Sequence, residues 1–139
     1  VLEAAAVLHD VGYSPDLAKT GFHPLDGARY LRDTVGGDPR VVGLVAHHSC
    51  AWMEAEARGL REELEAEFPR PPASLIDAVT YCDMNTTPDG TPTNPVDRVN
   101  EIAGRYGPDS LIGTFIRRAE PEILASTARV LERLAAAAR

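Results

Sequence analysis

The sequence contains only four histidines, His9, His23, His47 and His48, all within the first 48 of its 139 residues. Each lies at or near the end of a predicted helix, where side chains from neighbouring helices can converge on one point. His9 is followed directly by Asp10 at the end of an apolar run, and Asp83 interrupts another apolar segment much later in the chain. Neutral imidazoles and carboxylates are the ligands preferred by zinc, manganese, iron and similar divalent ions. An isolated His-Asp pair is also what an ordinary helix end looks like, so context carries the reading. Here an apolar helix precedes the pair, Gly12 and a loop follow it, and Asp83 sits in a segment that otherwise reads as buried.

The elements that must position these groups read as helices throughout. Residues 1–10, VLEAAAVLHD, are strong helix formers, and Gly12 is expected to supply a left-handed stop. The stretch YSPDLAKTG mixes Pro15 and Gly21 with polar residues, as an exposed loop does. The segment from His23 to Thr34 has Pro24 in its first turn and Leu25, Ala28 and Leu31 on one face. Pro39 opens a third helix whose Val41, Val42, Leu44 and Val45 are too dense for a one-sided surface helix, so it is expected to be central. Residues 51–67 read as one acidic, water-facing helix ended by the PRPP run at 69–72. Residues 73–84 carry Leu75, Ile76, Val79 and Cys82 at helical spacing, interrupted by Asp77 and Asp83. A turn-rich loop at 86–95 leads to a helix from Pro95 and a final long helical stretch with a break expected near Pro121. No segment alternates with period two. The expected fold is an all-α bundle of about six to seven helices in a single domain spanning residues 1–139.

Composition bounds the partners. At 44% hydrophobic and 25% charged the chain is an ordinary globular sequence. Its formal charge of -7 argues against a duplex nucleic acid partner, which calls for a basic face. No run approaches the roughly 18 apolar residues of a membrane span, and no leader pattern is present, so the chain reads as cytoplasmic with no membrane partner. Cys50 and Cys82 have no CxxC spacing and are expected to be buried packing residues.

AAVLHDVGY, GFHPLDGARYL, VVGLVAHHS and DAVTYCDM, in that order, resemble the motif series of the HD superfamily of metal-dependent phosphohydrolases, over residues 1 to about 85. The resemblance implies an HD-domain-like bundle in which residues 1–85 carry the metal site and 86–139 serve as scaffold. It implies that His9, Asp10 and Asp83 bind a divalent metal. His23, His47 and His48 match the further histidines of those members that hold two ions. The implied cofactor is one or two ions of manganese, zinc, cobalt, nickel or iron. With two, Asp10 is the expected bridge, since an ionised carboxylate has oxygens for two cations about 3.5–4 Å apart. The family's series begins with another metal-binding histidine on an earlier helix, whereas this sequence opens at Val1 in what reads as mid-helix. Either the parent polypeptide continues upstream or the domain is degenerate, and the mid-helix opening favours the first.

The implied activity is hydrolysis of a small phosphorylated substrate, a phosphate ester or nucleotide, by a metal-activated water in which Asp10 takes part. Asp26, three residues after His23 on the same helical face, either orients a ligand or accepts the water's proton, or is a solvated first-turn carboxylate. Lys19, the only lysine, is the expected phosphate contact, ahead of Arg29 and Arg32. Tyr81, Asp97 and Arg98 are candidates for the pocket wall, and the loops at 13–22 and 85–95 for substrate choice. Two alternatives stay open: a di-iron oxygenase of the same superfamily, and a non-catalytic domain binding a nucleotide or partner through a decayed site. The cyclic dinucleotide branch is less attractive, because SCAWMEAEA after His47 lacks its glycine-tyrosine-proline signature.

Overall fold

The computed structural model describes residues 1–139. Helix-forming Ala and Leu residues build α1 (Leu2–Leu8), and Asp10 leads into one tight 3-10 turn at Val11–Tyr13. Helix α2 (His23–Tyr30) begins with Pro24 in its first turn and widens into a π-helical turn that Gly36 ends at φ 67°. In α3 (Pro39–His47) the Asp38 side chain caps the helix by accepting from the Arg40 N–H. Every residue from Val41 to His47 is buried, so α3 is central as its density of valines requires. Then follow α4 (Ala51–Arg58), α5 (Arg61–Glu67), α6 (Ala73–Met84), α7 (Pro95–Tyr106) and α8 (Leu111–Ala137). The fold is all-α, with eight α-helices and a lone antiparallel bridge between Thr86 and Pro92. No helix is long and apolar enough to cross a membrane.

Two apolar clusters organise these helices. The larger joins α1 to α6 through Phe22, Leu25, Leu44, Val45, Leu64 and Val79. The smaller brings Cys50 and Met84 against Val99, Phe115, Ile116 and Ile123 of α7 and α8. Met84 directly follows Asp83, so the C-terminal helices reach the segment that carries that carboxylate.

Four local expectations are corrected. Gly12 does not take a left-handed conformation, and its role is steric, as described below. Residues 51–67 are two helices, because Gly59 adopts φ 71° and ends α4, and the region buries Ala51, Glu54, Ala55 and Leu64 instead of simply facing water. Helix α8 runs through Pro121 without a break. An interior proline costs a backbone bond and about 3 kcal/mol, and the burial of Ile116, Ala119, Ile123 and Ser126 around it offsets that cost. Cys50 is buried as expected, but Cys82 is exposed, because it points off the solvent side of α6.

Asp77 ties α6 to α8. Its carboxylate is buried and accepts from Ser126 Oγ at 2.7 Å, from Arg129 at 2.7 and 2.9 Å and from Arg133 at 3.0 Å. Burial opposes ionisation, but Arg129, Ser126 and Arg133 together outweigh it and hold the carboxyl at about 2. A depressed folded pKa contributes stability that is fully present above the unfolded value near 4 and fades as pH falls towards 2. Asp77→Asn is therefore expected to lower unfolding stability by about 2 kcal/mol at pH 7. In denaturant titrations its difference from wild type should shrink steadily between pH 4 and 2. A difference that stays constant down to acid pH rules out the ion pair as its source.

Candidate metal centre

The doublet reaches its partners through an unusually close backbone contact. A Cβ on Gly12 would stand 2.1 Å from the His23 carbonyl oxygen and 2.7 Å from the Gly27 nitrogen, and one on Gly27 would stand 3.0 Å from the Gly12 nitrogen. Only glycine at 12 permits the turn after Asp10 to lie on the first turns of α2, where His23 begins the helix. The result is His23 Nε2 at 3.2 Å from Asp10 Oδ1. Tyr13 from the same turn stacks on the His23 ring, with centroids 3.9 Å apart and planes inclined by 17°, and so fixes its orientation.

His9 Nε2 lies 3.3 Å from Asp10 Oδ2 and 3.4 Å from Asp83 Oδ1. His48 Nε2 lies 3.2 Å from His23 Nε2 and 3.8 Å from Asp10 Oδ1. The two oxygens of Asp10 thus face different neighbours: Oδ2 faces His9, which also meets Asp83, and Oδ1 faces His23 and His48. His9, Asp10 and His48 offer ligand atoms that all lie within 4.8 Å of one another, a group that could hold a metal ion. The donor chemistry fits such an ion. The Nδ1–H of His9 donates to the Ala6 carbonyl at 2.7 Å and that of His48 to the Val45 carbonyl at 2.7 Å. Each bond fixes the ring and turns Nε2 towards the cluster, as backbone carbonyls do behind metal-ligating histidines. His9 Nε2 is buried and has no hydrogen-bond partner of acceptable geometry, although two carboxylates stand beside it.

Electrostatics agree with the geometry. Burial disfavours charge on Asp10, but the His23 and His9 rings outweigh it and keep the carboxyl ionised well below the usual range. Asp83 is shifted the same way: burial resists, and His9 and His48 overcome it. Burial also opposes the His9 imidazolium, yet Asp10 and Asp83 raise its pKa far above that of free histidine. Burial, His23 and His9 push His48 down to about 4, so it is neutral at pH 7, with its Nε2 lone pair turned towards His23 and Asp10.

Asp83 is held by a residue that pattern reading did not single out. Ser49 Oγ–H donates to Asp83 Oδ2 at 2.6 Å, while the Ser49 N–H donates to Thr80 Oγ at 3.2 Å. This places Ser49 at φ 47° and the next residue, Cys50, at φ 59°, both in the region that favours glycine. Ser49 bridges the end of α3 to α6.

Three expected site residues lie elsewhere. His47 is buried, but it leaves the cluster: its Nε2–H donates to the Phe68 carbonyl at 2.7 Å, and burial holds it neutral. Successive helical residues point about 100° apart, so His47 and His48 cannot both face the centre. Asp26 is neither solvated nor catalytic in position. Its buried carboxylate accepts from the Lys19 and Thr20 N–H groups at 3.0–3.1 Å and from Thr20 Oγ at 3.0 Å, which pins the loop to α2. Lys19 uses only its backbone there, and its exposed side chain does not line the cavity. Arg29 and Arg32 are paired with Glu63, Glu67 and Asp33 on another face.

A cavity of about 300 Å³ opens on Asp10, His23, His48 and Asp83. Of the two loops, only Tyr13 and Pro88 line it, and neither Tyr81 nor Asp97 does. Much of the remaining wall comes from α7 and α8 through Arg98, Ile102, Arg105, Ile112, Phe115 and Ile116, so the second half of the chain is more than scaffold. No family model, curated protein or solved structure matches this chain.

Two outcomes test the centre. A cation competes with the proton on His9 Nε2, so Mn²⁺ binding should release protons near pH 7 and tighten as pH rises. Calorimetric heats that are identical in buffers of low and high ionisation enthalpy would remove His9 from the ligand set. Ser49→Ala, which frees Asp83, should weaken Mn²⁺ binding by about 10-fold or more with the fold retained. Unchanged affinity in that variant means Asp83 needs no such support.

Proposed function

We propose that this chain is an HD-type metal-dependent phosphohydrolase domain acting on a small phosphate ester or nucleotide. The observation that carries the reading is the division of Asp10, with Oδ2 towards His9 and Asp83 and Oδ1 towards His23 and His48. One ionised carboxylate between two imidazole-bearing sets is the arrangement a bridging ligand of two cations requires. His9, Asp10 and Asp83 would hold one ion, and Asp10, His23 and His48 the other. A divalent cation, when bound, supplies Lewis acidity towards a phosphoryl oxygen and lowers the pKa of water.

The protein's own contributions follow from its contacts. The Ala6 and Val45 carbonyls keep the His9 and His48 rings from rotating, and Ser49 keeps Asp83 from swinging away. Tyr13 holds the His23 ring by stacking and stands at the cavity wall. Asp10 is the half-exposed member of the cluster, so it is the group a ligand in the cavity meets. Apolar side chains around the cavity displace water from the ester and strengthen the electrostatic contacts made there.

The test is metal content by elemental analysis together with assays on a panel of phosphomonoesters and nucleotides. Mn, Zn, Co or Ni near two per chain with phosphate release is the expected result. Asp10→Ala should lower both metal content and rate, the rate by about 100-fold or more, since a shared ligand outweighs its supporting contacts. Iron near two per chain with oxygen uptake and no phosphate release would assign the oxygenase chemistry instead. No metal in wild type, and no difference from His9→Ala, would leave a binding domain.

A further inference from the structure

The cavity beside the metal centre contains a feature that the cluster does not explain. Arg98 of α7 lines it, is only 8% exposed, and has an Nε that meets no acceptor at all. Its one ion-pair partner is Glu101, through Nη1. Glu101 is shared, because its other oxygen accepts from Arg105 Nε at 2.9 Å. Residues 98 and 105 are two turns apart, so both guanidiniums lie on one face of α7, and both line the cavity with Ile102 between them. A single exposed carboxylate therefore serves two cations, one of them buried with an unmet donor. Buried charged donors are rarely left unmet, because the lost hydrogen bond is costly. Outside the metal cluster the one acid that lines the cavity, Glu54, is already held by Arg58 at 2.8 Å.

The rest of the wall limits what can bring the missing acceptor. Met84, Ile102, Ile112, Phe115 and Ile116 are apolar, and the lining includes no Asn, Gln or Thr side chain. The Ser49 hydroxyl is committed to Asp83. Beyond the phenol hydroxyls of Tyr13 and Tyr106, no neutral polar side chain of the wall is left to bind the hydroxyls of a sugar or the edge of a base, whose burial without partners is unfavourable. A planar guanidinium with an unmet donor, by contrast, matches the oxygens of a phosphoryl group.

We infer that Arg98, supported by Arg105, is the oxyanion-recognition element of this cavity, and that its ligand is a small phosphate monoester with an apolar organic part. The inference rests on the phosphohydrolase reading for the phosphoryl group, and on the cavity alone for the arginines and the apolar body. It also replaces Lys19 as the source of positive charge at the site.

The experiment uses phenylphosphonate, a non-hydrolysable oxyanion on an apolar body, with ribose 5-phosphate as the hydroxyl-rich comparison. Binding is measured by calorimetry on the 139-residue chain, once in EDTA and once with Mn²⁺. In EDTA, phenylphosphonate should bind wild type more tightly than ribose 5-phosphate does. Arg98→Lys, which keeps the charge but loses the planar fork, should weaken it about tenfold or more, and the surface change Arg105→Gln about threefold. Circular dichroism confirms that each variant is folded, and Arg105→Gln decides the matter if Arg98→Lys is not. No binding to wild type in EDTA, or equal binding by the folded variants, overturns the arginine assignment. Equal affinity for ribose 5-phosphate overturns the apolar body. Failure of the metal reading would look different: Mn²⁺ would not bind, while the EDTA series would be unaffected.

Discussion

The backbone oxygen of His23 occupies the place where a side chain at position 12 would begin, and the rest of the centre depends on that contact. Helix α1 delivers His9 and Asp10, and α2 delivers His23, but two helices with ordinary side chains between them pack 8–10 Å apart. The Gly12–Gly27 approach brings the chain after the doublet against α2 without a separating layer. Asp10 can then reach His23, and Tyr13 can lie flat on its ring. Val11 and Leu8 pack into the larger apolar cluster on the same side, so the burial that holds the helices together also maintains the contact.

Around that contact the protein concentrates charge that would be unfavourable if it were scattered. Two carboxylates and three imidazoles meet at the junction of α1, α2, α3 and α6, and each supports the ionisation state of another. Asp77 solves a comparable problem on the far side of α6 in a different way, with fixed arginine partners from α8. The same helix thus carries one buried acid that is fully satisfied and one whose neighbours are titratable rings. The first serves to fasten helices together, and the second remains chemically available.

What could be read in the sequence follows physical range. Helix type was legible because it is local: apolar spacing and the prolines at 24, 39 and 95 mark helices wherever they pack. The His-Asp doublet and Asp83 were legible because polar groups inside apolar runs demand partners. His47 and His48 are equivalent as letters, and only the 100° step between helical neighbours separates them. Asp26 reads as a candidate for the site because the loop at 19–20 that its carboxylate binds is placed by tertiary packing and leaves no spacing signal. Gly12 read as a helix stop because a steric clearance between distant segments leaves no local mark. Ser49, Arg98 and Arg105 belong to the site only through tertiary packing. The exception is the seven-residue spacing of the two arginines, which puts them on one face of α7.

Ser49 and Cys50 give the centre a cost of their own. Consecutive non-glycine residues with positive φ are disfavoured by about 1 kcal/mol or more each, and the strain falls where α3 turns to send His48 inward and the Ser49 hydroxyl towards Asp83. Glycine would suit the backbone at 49 best, yet glycine has no hydroxyl to hold the carboxylate. Ease of the backbone and grip on the acid therefore pull this position in opposite directions. Serine at 49 keeps the chain bent against its own preference so that one hydroxyl can hold one carboxylate still.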